Sequence, residues 1–141
     1  MKCLFVNPSL RPDSNRRFLP VGLGYVVTAA QNEGFDIDIL DIDGATHSDE
    51  YVSEYLASHD YDVVLVGSIV THYKWIKWFI HESKKHIPHA TVIIGNSVGG
   101  TIPEVIFKHT PADIIVLGEG DVTTVDVLKV LEAGKDLGKI N

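Results

Sequence analysis

Two runs in this chain, Val63-Val64-Leu65-Val66 and Ile114-Ile115-Val116-Leu117, are apolar at every position and rich in β-branched residues. A strand with one wet face alternates apolar and polar side chains. A strand covered on both faces does not, and that double burial is the habit of parallel sheets. Three further runs complete the set of expected strands: Cys3–Asn7, Phe35–Leu40 and Thr91–Gly95, with the two above read as Val63–Gly67 and Asp113–Leu117. Helical patterns fall between them. Gly22–Glu33 ends at Gly34, a natural C′ residue; Asp49–Ser58 carries Tyr51, Val52, Tyr55 and Leu56 on one face; His72–His86 carries Trp75, Ile76, Phe79 and Ile80 in the same way. Thr101-Ile102-Pro103-Glu104 fits a capping box that opens a helix to about Lys108, and Asp121–Leu131 closes the series with an acid in its first turn.

Regular β/α alternation with right-handed crossovers gives an α/β fold: a three-layer, doubly wound, parallel five-stranded sheet of the flavodoxin-like or Rossmann-like kind, in the order 2-1-3-4-5. All strand-to-helix loops of such a sheet emerge at one edge, where ligands bind. Four glycine- or hydroxyl-bearing segments fall there: Pro20-Val21-Gly22-Leu23-Gly24, Ser68-Ile69-Val70-Thr71, Gly95 through Glu104, and Gly118-Glu119-Gly120-Asp121. This rim is the candidate site. Gly22, Gly24, Gly99, Gly100, Gly118 and Gly120 let a bulky ligand approach the backbone, and Ser68 and Thr71 offer short hydroxyls.

The usual ligands of this fold meet obstacles in the residues. A dinucleotide fingerprint must follow the first strand directly, whereas here Pro8 through Val21 intervene, far longer than the ordinary βα loop of about 2–6 residues. Gly22-Leu23-Gly24 with Asp41 or Asp43 is therefore a poor dinucleotide match. No GxxxxGK[ST] occurs, Asn7-Pro8 and Ser68 stand where a receiver domain would carry its acids, and Asn7-Pro8-Ser9-Leu10 is a poor flavin phosphate turn. A large flat ligand fits the rim better. On the residues alone, a cofactor-free flavodoxin-like signalling or interaction domain and a nucleotide-binding Rossmann-like enzyme using Gly22 and Gly24 stay open as alternatives.

Composition narrows the classes. Lys plus Arg number 12 against 19 Asp plus Glu, a balance that disfavours nucleic acid. Cys3, the sole cysteine, reads as a small buried thiol, which excludes disulfides and cysteine-ligated clusters within the chain. The seven histidines form no HExxH or paired-ligand spacing, so no metal ligand is expected; His72, next to Thr71, is the one placed to face a ligand. No run approaches a membrane span or signal peptide, and a cytoplasmic protein is expected.

The ordered series Pro20-Val21-Gly22-Leu23-Gly24-Tyr25, Gly34-Phe35, Asp62-Val63-Val64 leading to Ser68 and Thr71, Gly95 to Pro103-Glu104, and Gly118-Glu119-Gly120-Asp121-Val122-Thr123 resembles the N-terminal cobalamin-binding domain of B12-dependent radical S-adenosylmethionine (SAM) enzymes, the group that includes anaerobic magnesium-protoporphyrin ester oxidative cyclase-like proteins and methyltransferases. The resemblance implies cobalamin as the ligand, with Gly22, Gly24, Ser68, Thr71, Gly99, Gly100, Thr101, Gly118, Glu119 and Gly120 as its contacts and no catalytic residue in this chain. It implies a cobalamin domain over residues 1–133 and, over 134–141, the start of a linker to a radical SAM barrel, which would be the domain's partner and would supply SAM and the 4Fe-4S cluster. It also places the loop Ser9–Leu19, with Arg11, Arg16 and Arg17, near the lower face of the corrin. Two departures stand out: Asn96-Ser97-Val98 replaces the family's Gly-Pro-His after the fourth strand, and Asp121 replaces its final Glu. The DxHxxG motif that ligates cobalt in methionine-synthase-type domains is absent, so no histidine of that motif is expected below the cobalt.

Overall fold

In the computed structural model, which describes residues 1–15, 17–135 and 137, the three central strands are buried between two helix layers. The elements run β1 (Lys2–Asn7), α1 (Val21–Asn32), β2 (Asp36–Asp41), α2 (Ile42–Ala45), α3 (Asp49–Ser58), β3 (Val63–Gly67), a 3-10 turn (Val70–His72), α4 (Tyr73–His86), β4 (Thr91–Gly95), α5 (Asn96–Thr101), α6 (Pro103–His109), β5 (Ile114–Ile115) and α7 (Gly120–Glu132). The sheet is parallel throughout in the order β2-β1-β3-β4-β5, as the sequence predicts.

The apolar runs now have a physical reason. Leu4 and Val6 of β1, Val64 and Val66 of β3, and Val92 and Ile94 of β4 face a core built with Val52 and Leu56 of α3 and Ile76, Phe79 and Ile80 of α4. The intervening residues Cys3, Phe5, Val63, Leu65 and Ile93 face the opposite core, with Val27 and Ala30 of α1 and Val125 and Leu128 of α7. At about 1.5–3 kcal/mol per fully buried aliphatic side chain, these two faces supply the main driving force for the fold. Cys3 is fully enclosed, and burial pushes its thiol pKa up to about 12, so it is an unreactive packing group.

The end of the sheet where the strands begin is closed by polar contacts. The buried Tyr61 hydroxyl donates to Asp38 Oδ2 at 2.8 Å and shares a 2.7 Å bond with the Tyr55 hydroxyl. Lys2 Nζ lies 3.1 Å from the same Asp38 carboxylate and 4.8 Å from the centre of the Tyr61 ring. The Tyr61 hydrogen bond, helped by Lys2, holds the Asp38 carboxyl below its ordinary pKa, while burial raises that of Tyr61. β1, β2 and β3 are thereby tied where they start.

Three local expectations are corrected. The fifth strand is paired only over Ile114–Ile115, because β5 is an edge with one neighbour and β4 turns away into α5 at Asn96. Gly99-Gly100 is not a loop but lies inside α5; the left-handed φ of 61° at Asn96 starts that helix straight off the strand. Thr101 therefore ends α5 rather than capping α6, whose N-cap is Ile102 with no side-chain bond, and the capping box does not form. The sequence reading also missed α2 and the Ser48 cap of α3, in which Ser48 Oγ accepts from Tyr51 N at 3.3 Å. Gly34 is the C′ residue, with φ of 88°. Of the expected linker, Asp136 and residues 138–141 lie outside the described residues, as does Arg16 of the first loop.

The two glycines of α5 should separate cleanly on mutation. A Cβ on Gly99 would meet Ile115 Cγ2 at 2.9 Å and two Ile94 atoms at 3.4 Å, whereas one on Gly100 would meet nothing within 4 Å. Gly99→Ala is expected to cost about 1–3 kcal/mol. Gly100→Ala should be neutral or stabilising by up to about 1 kcal/mol through helix propensity. Urea denaturation of the two variants checks this, and equal midpoints would refute the packing role of Gly99.

Candidate functional site

At the end of the sheet where the strands finish, the layers part. The side chains of Phe5, Leu65, Ile93 and Val116 pack under α1 and α7, and between the first turns of those two helices and the strand ends lies a cleft of about 360 Å³. Its walls are Gly22, Leu23, Tyr25 and Val26 of α1 on one side and Gly118 through Asp121 with Thr124 on the other. Asn7, Gly67, Gly95 and Asn96, the last strand residues and the first beyond, form its lip. Glycine keeps the cleft open: a Cβ on Gly22 or Gly118 would meet nothing within 4 Å, and one on Gly120 would stand 3.5 Å from Val26 Cγ2 and 3.6 Å from Thr124 Oγ1. Gly118 also adopts φ of 74°, a conformation that a side chain would oppose.

With Asn7, Thr124 is one of two buried polar side chains that line this cleft. The residue is 4% exposed, yet its hydroxyl has no hydrogen bond among the described residues. Every fully enclosed side-chain polar atom among those residues is partnered, so the Thr124 hydroxyl must face the open cleft. An apolar cleft bordered by a few polar side chains with unused hydrogen-bonding atoms is the form of a site for a mostly apolar group carrying a few polar atoms.

The long first loop is held over the rim by two aspartates. Asp43 accepts from Ser9 Oγ at 2.8 Å, Arg17 Nη1 at 3.3 Å and Phe18 N at 3.4 Å. Arg17 in turn donates to the Arg11 and Pro12 carbonyls, which makes it the brace of the loop. Asp41 Oδ1 accepts from Asn7 Nδ2 at 2.7 Å and Gly44 N at 2.9 Å. Around this scaffold, Phe18, Leu19, Val21, Tyr25, Leu117 and Val122 are exposed apolar residues along the same edge.

The structure brings together Gly22, Gly118, Glu119 and Gly120 among the expected contacts. Gly24 lies further along α1, its N–H bonded to the Pro20 carbonyl, and does not line the cleft. Ser68, Thr71, Gly99, Gly100 and Thr101 belong to the connections over the other face of the sheet. Ser68 is buried, its carbonyl accepts from Val98 N at 2.9 Å, and its hydroxyl pairs with His72 Nδ1 at 3.1 Å. Thr71 is exposed beside a shallow depression shared with Asp49, His72, Trp75 and Trp78. Gly99 is packed inside, and Gly100 and Thr101 are exposed on α5. Asn7, Leu23, Tyr25, Val26, Asn96, Asp121 and Thr124 were missed as lining residues. For Thr124 a signal existed: it sits one helical turn beyond Gly120, a hydroxyl in the apolar stripe that includes Val127 and Leu128.

A family model described as "B12 binding domain" matches residues 14–128. Cytidylyl-2-hydroxyethylphosphonate methyltransferase of Streptomyces wedmorensis is 26% identical over an alignment covering 86% of this chain and 27% of that protein. The cobalamin-dependent S-adenosylmethionine radical enzyme OxsB, solved with aqua-cobalamin, superimposes with a TM-score of 0.83 at 18% identity, over 99% of this chain and 20% of that one. The radical S-adenosylmethionine methyltransferase TsrM from Kitasatospora setae, solved with cobalamin and a 4Fe-4S cluster, gives 0.76 at 21% identity, over 96% and 25%. The chain thus spans about a quarter of the length of these relatives.

His72 offers a pH test of the rim. Its ring stacks on Trp75 with centroids 5.2 Å apart, and burial holds its pKa below the ordinary value. The folded state then binds fewer protons than the unfolded chain, so the neutral ring contributes stability above the ordinary imidazole range that is lost as pH falls below it. His72→Gln should flatten the acid-side fall in Tm. An NMR titration placing the His72 midpoint at or above 6.5 would refute this.

Proposed function

The chain belongs to the B12-binding domain family, and from that premise we propose that it is the cobalamin-holding part of a larger cytoplasmic radical SAM enzyme that carries out methyl transfer or radical oxidative cyclisation. The observation that carries the reading is the cleft at the strand ends, inside the matched region, with an apolar floor and an unpartnered hydroxyl. Cobalamin has two unlike parts, a broad amide-fringed corrin and a narrow nucleotide tail. The cleft is too small for the first and suits the second. Gly22, Gly118, Gly120 and Thr124 would hold the tail's base, while the rim under the Ser9–Leu19 loop would support the corrin edge. Gly24, Ser68, Thr71, Gly100, Thr101 and Glu119 stay in this proposal as rim positions around the corrin, while Gly99 is a packing position beneath them.

When bound, cobalamin supplies a cobalt centre able to accept and give up a carbon ligand. This chain's own residues bind and orient. Asp43 and Arg17 fix the loop before the ligand arrives, so its ordering entropy is already lost in the free protein. Phe18, Val21, Tyr25, Leu117 and Val122 leave an apolar edge beside the cleft, which suits burial by a radical SAM barrel in the remaining three quarters of the parent.

Titration with hydroxocobalamin tests the reading. Binding is expected as co-elution and a visible spectrum of the form in which the lower base has left the metal, with a Tm rise of roughly 3–6 °C at about a hundredfold excess over Kd. Gly120→Leu, which fills the space between Val26 and Thr124, should abolish binding and leave the Tm of the free protein within about 2 °C. Absence of any spectral change or Tm shift with the unaltered chain would overturn the proposal.

A further inference from the structure

We propose a second activity for this chain: an aromatic stripe along α3 carries an oxidising equivalent away from the finishing end of the sheet and delivers it to Tyr61, where a neutral tyrosyl radical forms as the phenol proton passes to Asp38. The partner in the reaction is an outer-sphere one-electron oxidant. This activity needs neither the cleft nor its ligand, so its test is independent of the functional reading above.

His47, Tyr51, Tyr55 and His59 recur every four residues, which carries their rings along one side of α3 and its two flanks. His47 and Tyr51 stack with centroids 3.8 Å apart and planes at 10°, and Tyr55 and His59 at 4.0 Å and 14°. Tyr51 lies 6.3 Å from Tyr55, and His59 lies 6.4 Å from Tyr61. The series joins the two ends of the sheet: His47 follows α2, which leaves the finishing end of β2, whereas Tyr61 stands two residues before β3 at its starting end. Tyr51 is 41% exposed and Tyr61 1%, so the stripe is open to solvent in its first half and ends in the interior.

The hydrogen bonds give the path a direction. The Tyr61 hydroxyl has one proton and donates it to Asp38 Oδ2 at 2.8 Å, so in the 2.7 Å contact between the two phenols Tyr55 is the donor and Tyr61 the acceptor. Lys2 Nζ sits 4.8 Å from the centre of the Tyr61 ring and opposes positive charge on it, so an electron leaves that ring only as the proton leaves too. The steps balance. Tyr51 gives one electron to the oxidant and its proton to water. Tyr55 then returns an electron to Tyr51, which takes a proton back from water, while the Tyr55 proton moves to the Tyr61 oxygen and the Tyr61 proton forms the Asp38 O–H bond. A hydrogen atom passed from Tyr61 back to Tyr55 across the 2.7 Å contact leaves Tyr55 restored, Asp38 protonated and the radical on the buried Tyr61 oxygen. Among the described residues Tyr61 is the one tyrosine whose hydroxyl donates to a carboxylate, which makes it the end of the path.

Flash photolysis of the intact chain tests this, with tris(bipyridine)ruthenium as the photosensitiser and persulfate as its electron acceptor; the cationic probe suits a chain of net charge −7. The expected product is a long-lived neutral tyrosyl radical, read by transient absorption and electron paramagnetic resonance, that forms more slowly in deuterated water. Tyr61→Phe should lose the long-lived signal, and Tyr51→Phe should slow its appearance. Asp38→Asn, which keeps an oxygen to accept the hydrogen bond but no base to take the proton, should lose the signal as Tyr61→Phe does. An undiminished tyrosyl signal in Tyr61→Phe, or a final radical on tryptophan, overturns Tyr61 as the terminus. An unchanged Asp38→Asn overturns the proton acceptor, and unchanged kinetics in Tyr51→Phe overturn the stripe as the path. Should Tyr61→Phe fail to fold by circular dichroism, Asp38→Asn, at a carboxylate whose side chain is 41% exposed, decides alone.

Discussion

Double-sided burial of the three central strands is the constraint from which the rest of the molecule follows. Successive residues of β1, β3 and β4 enter two different cores, so both faces of the sheet must be roofed by helices. Parallel strands force each roof to be entered from the same edge. The helices of one layer must spread there to let chain in and out, and an opening at the strand ends is the geometric consequence. In this chain α1 and α7 spread over Phe5, Leu65, Ile93 and Val116, side chains that belong to the core lower down and to the cleft at the top. The binding site is a part of the core left uncovered.

That arrangement explains how an apolar floor survives next to water. Glycine at 22, 118 and 120 withholds the side chains that would otherwise fold over it, and Thr124 places a hydroxyl in its wall. Because its hydroxyl opens on the cleft, Thr124 is better understood as part of a binding surface than as a flaw in the core.

The layered fold was legible in the sequence because the evidence for it is periodic: non-alternating apolar runs, helical stripes and Gly34 each repeat a rule with a direct physical cause. The candidate site was legible only in part. Gly22, Gly118, Glu119 and Gly120 follow strands in the expected way, but Gly99 looks the same in sequence and serves a different purpose, since the left-handed turn at Asn96 carries it into a short helix against Ile94 and Ile115. A glycine pair does not announce whether it makes room for a ligand or for a neighbouring side chain. Asp41 and Asp43 were similarly opaque. In a dinucleotide frame they stand where a ribose would bind, whereas their bonds to Asn7, Ser9, Arg17 and Phe18 show them holding the first loop.

The loop anchored by Asp43 links the two halves of the proposal physically. A βα connection running from Pro8 to Pro20 would ordinarily sample many conformations, and binding against it would have to fix them. Here one carboxylate collects Ser9, Arg17 and the Phe18 amide, and Arg17 ties back to the carbonyls of Arg11 and Pro12. Those described residues are therefore anchored by the protein itself, and Phe18 and Leu19 are left exposed. An apolar loop kept out of its own core by a charged brace costs stability in the isolated domain. That cost is understandable if, as proposed above, a broad ligand and a covering partner bury the loop from outside.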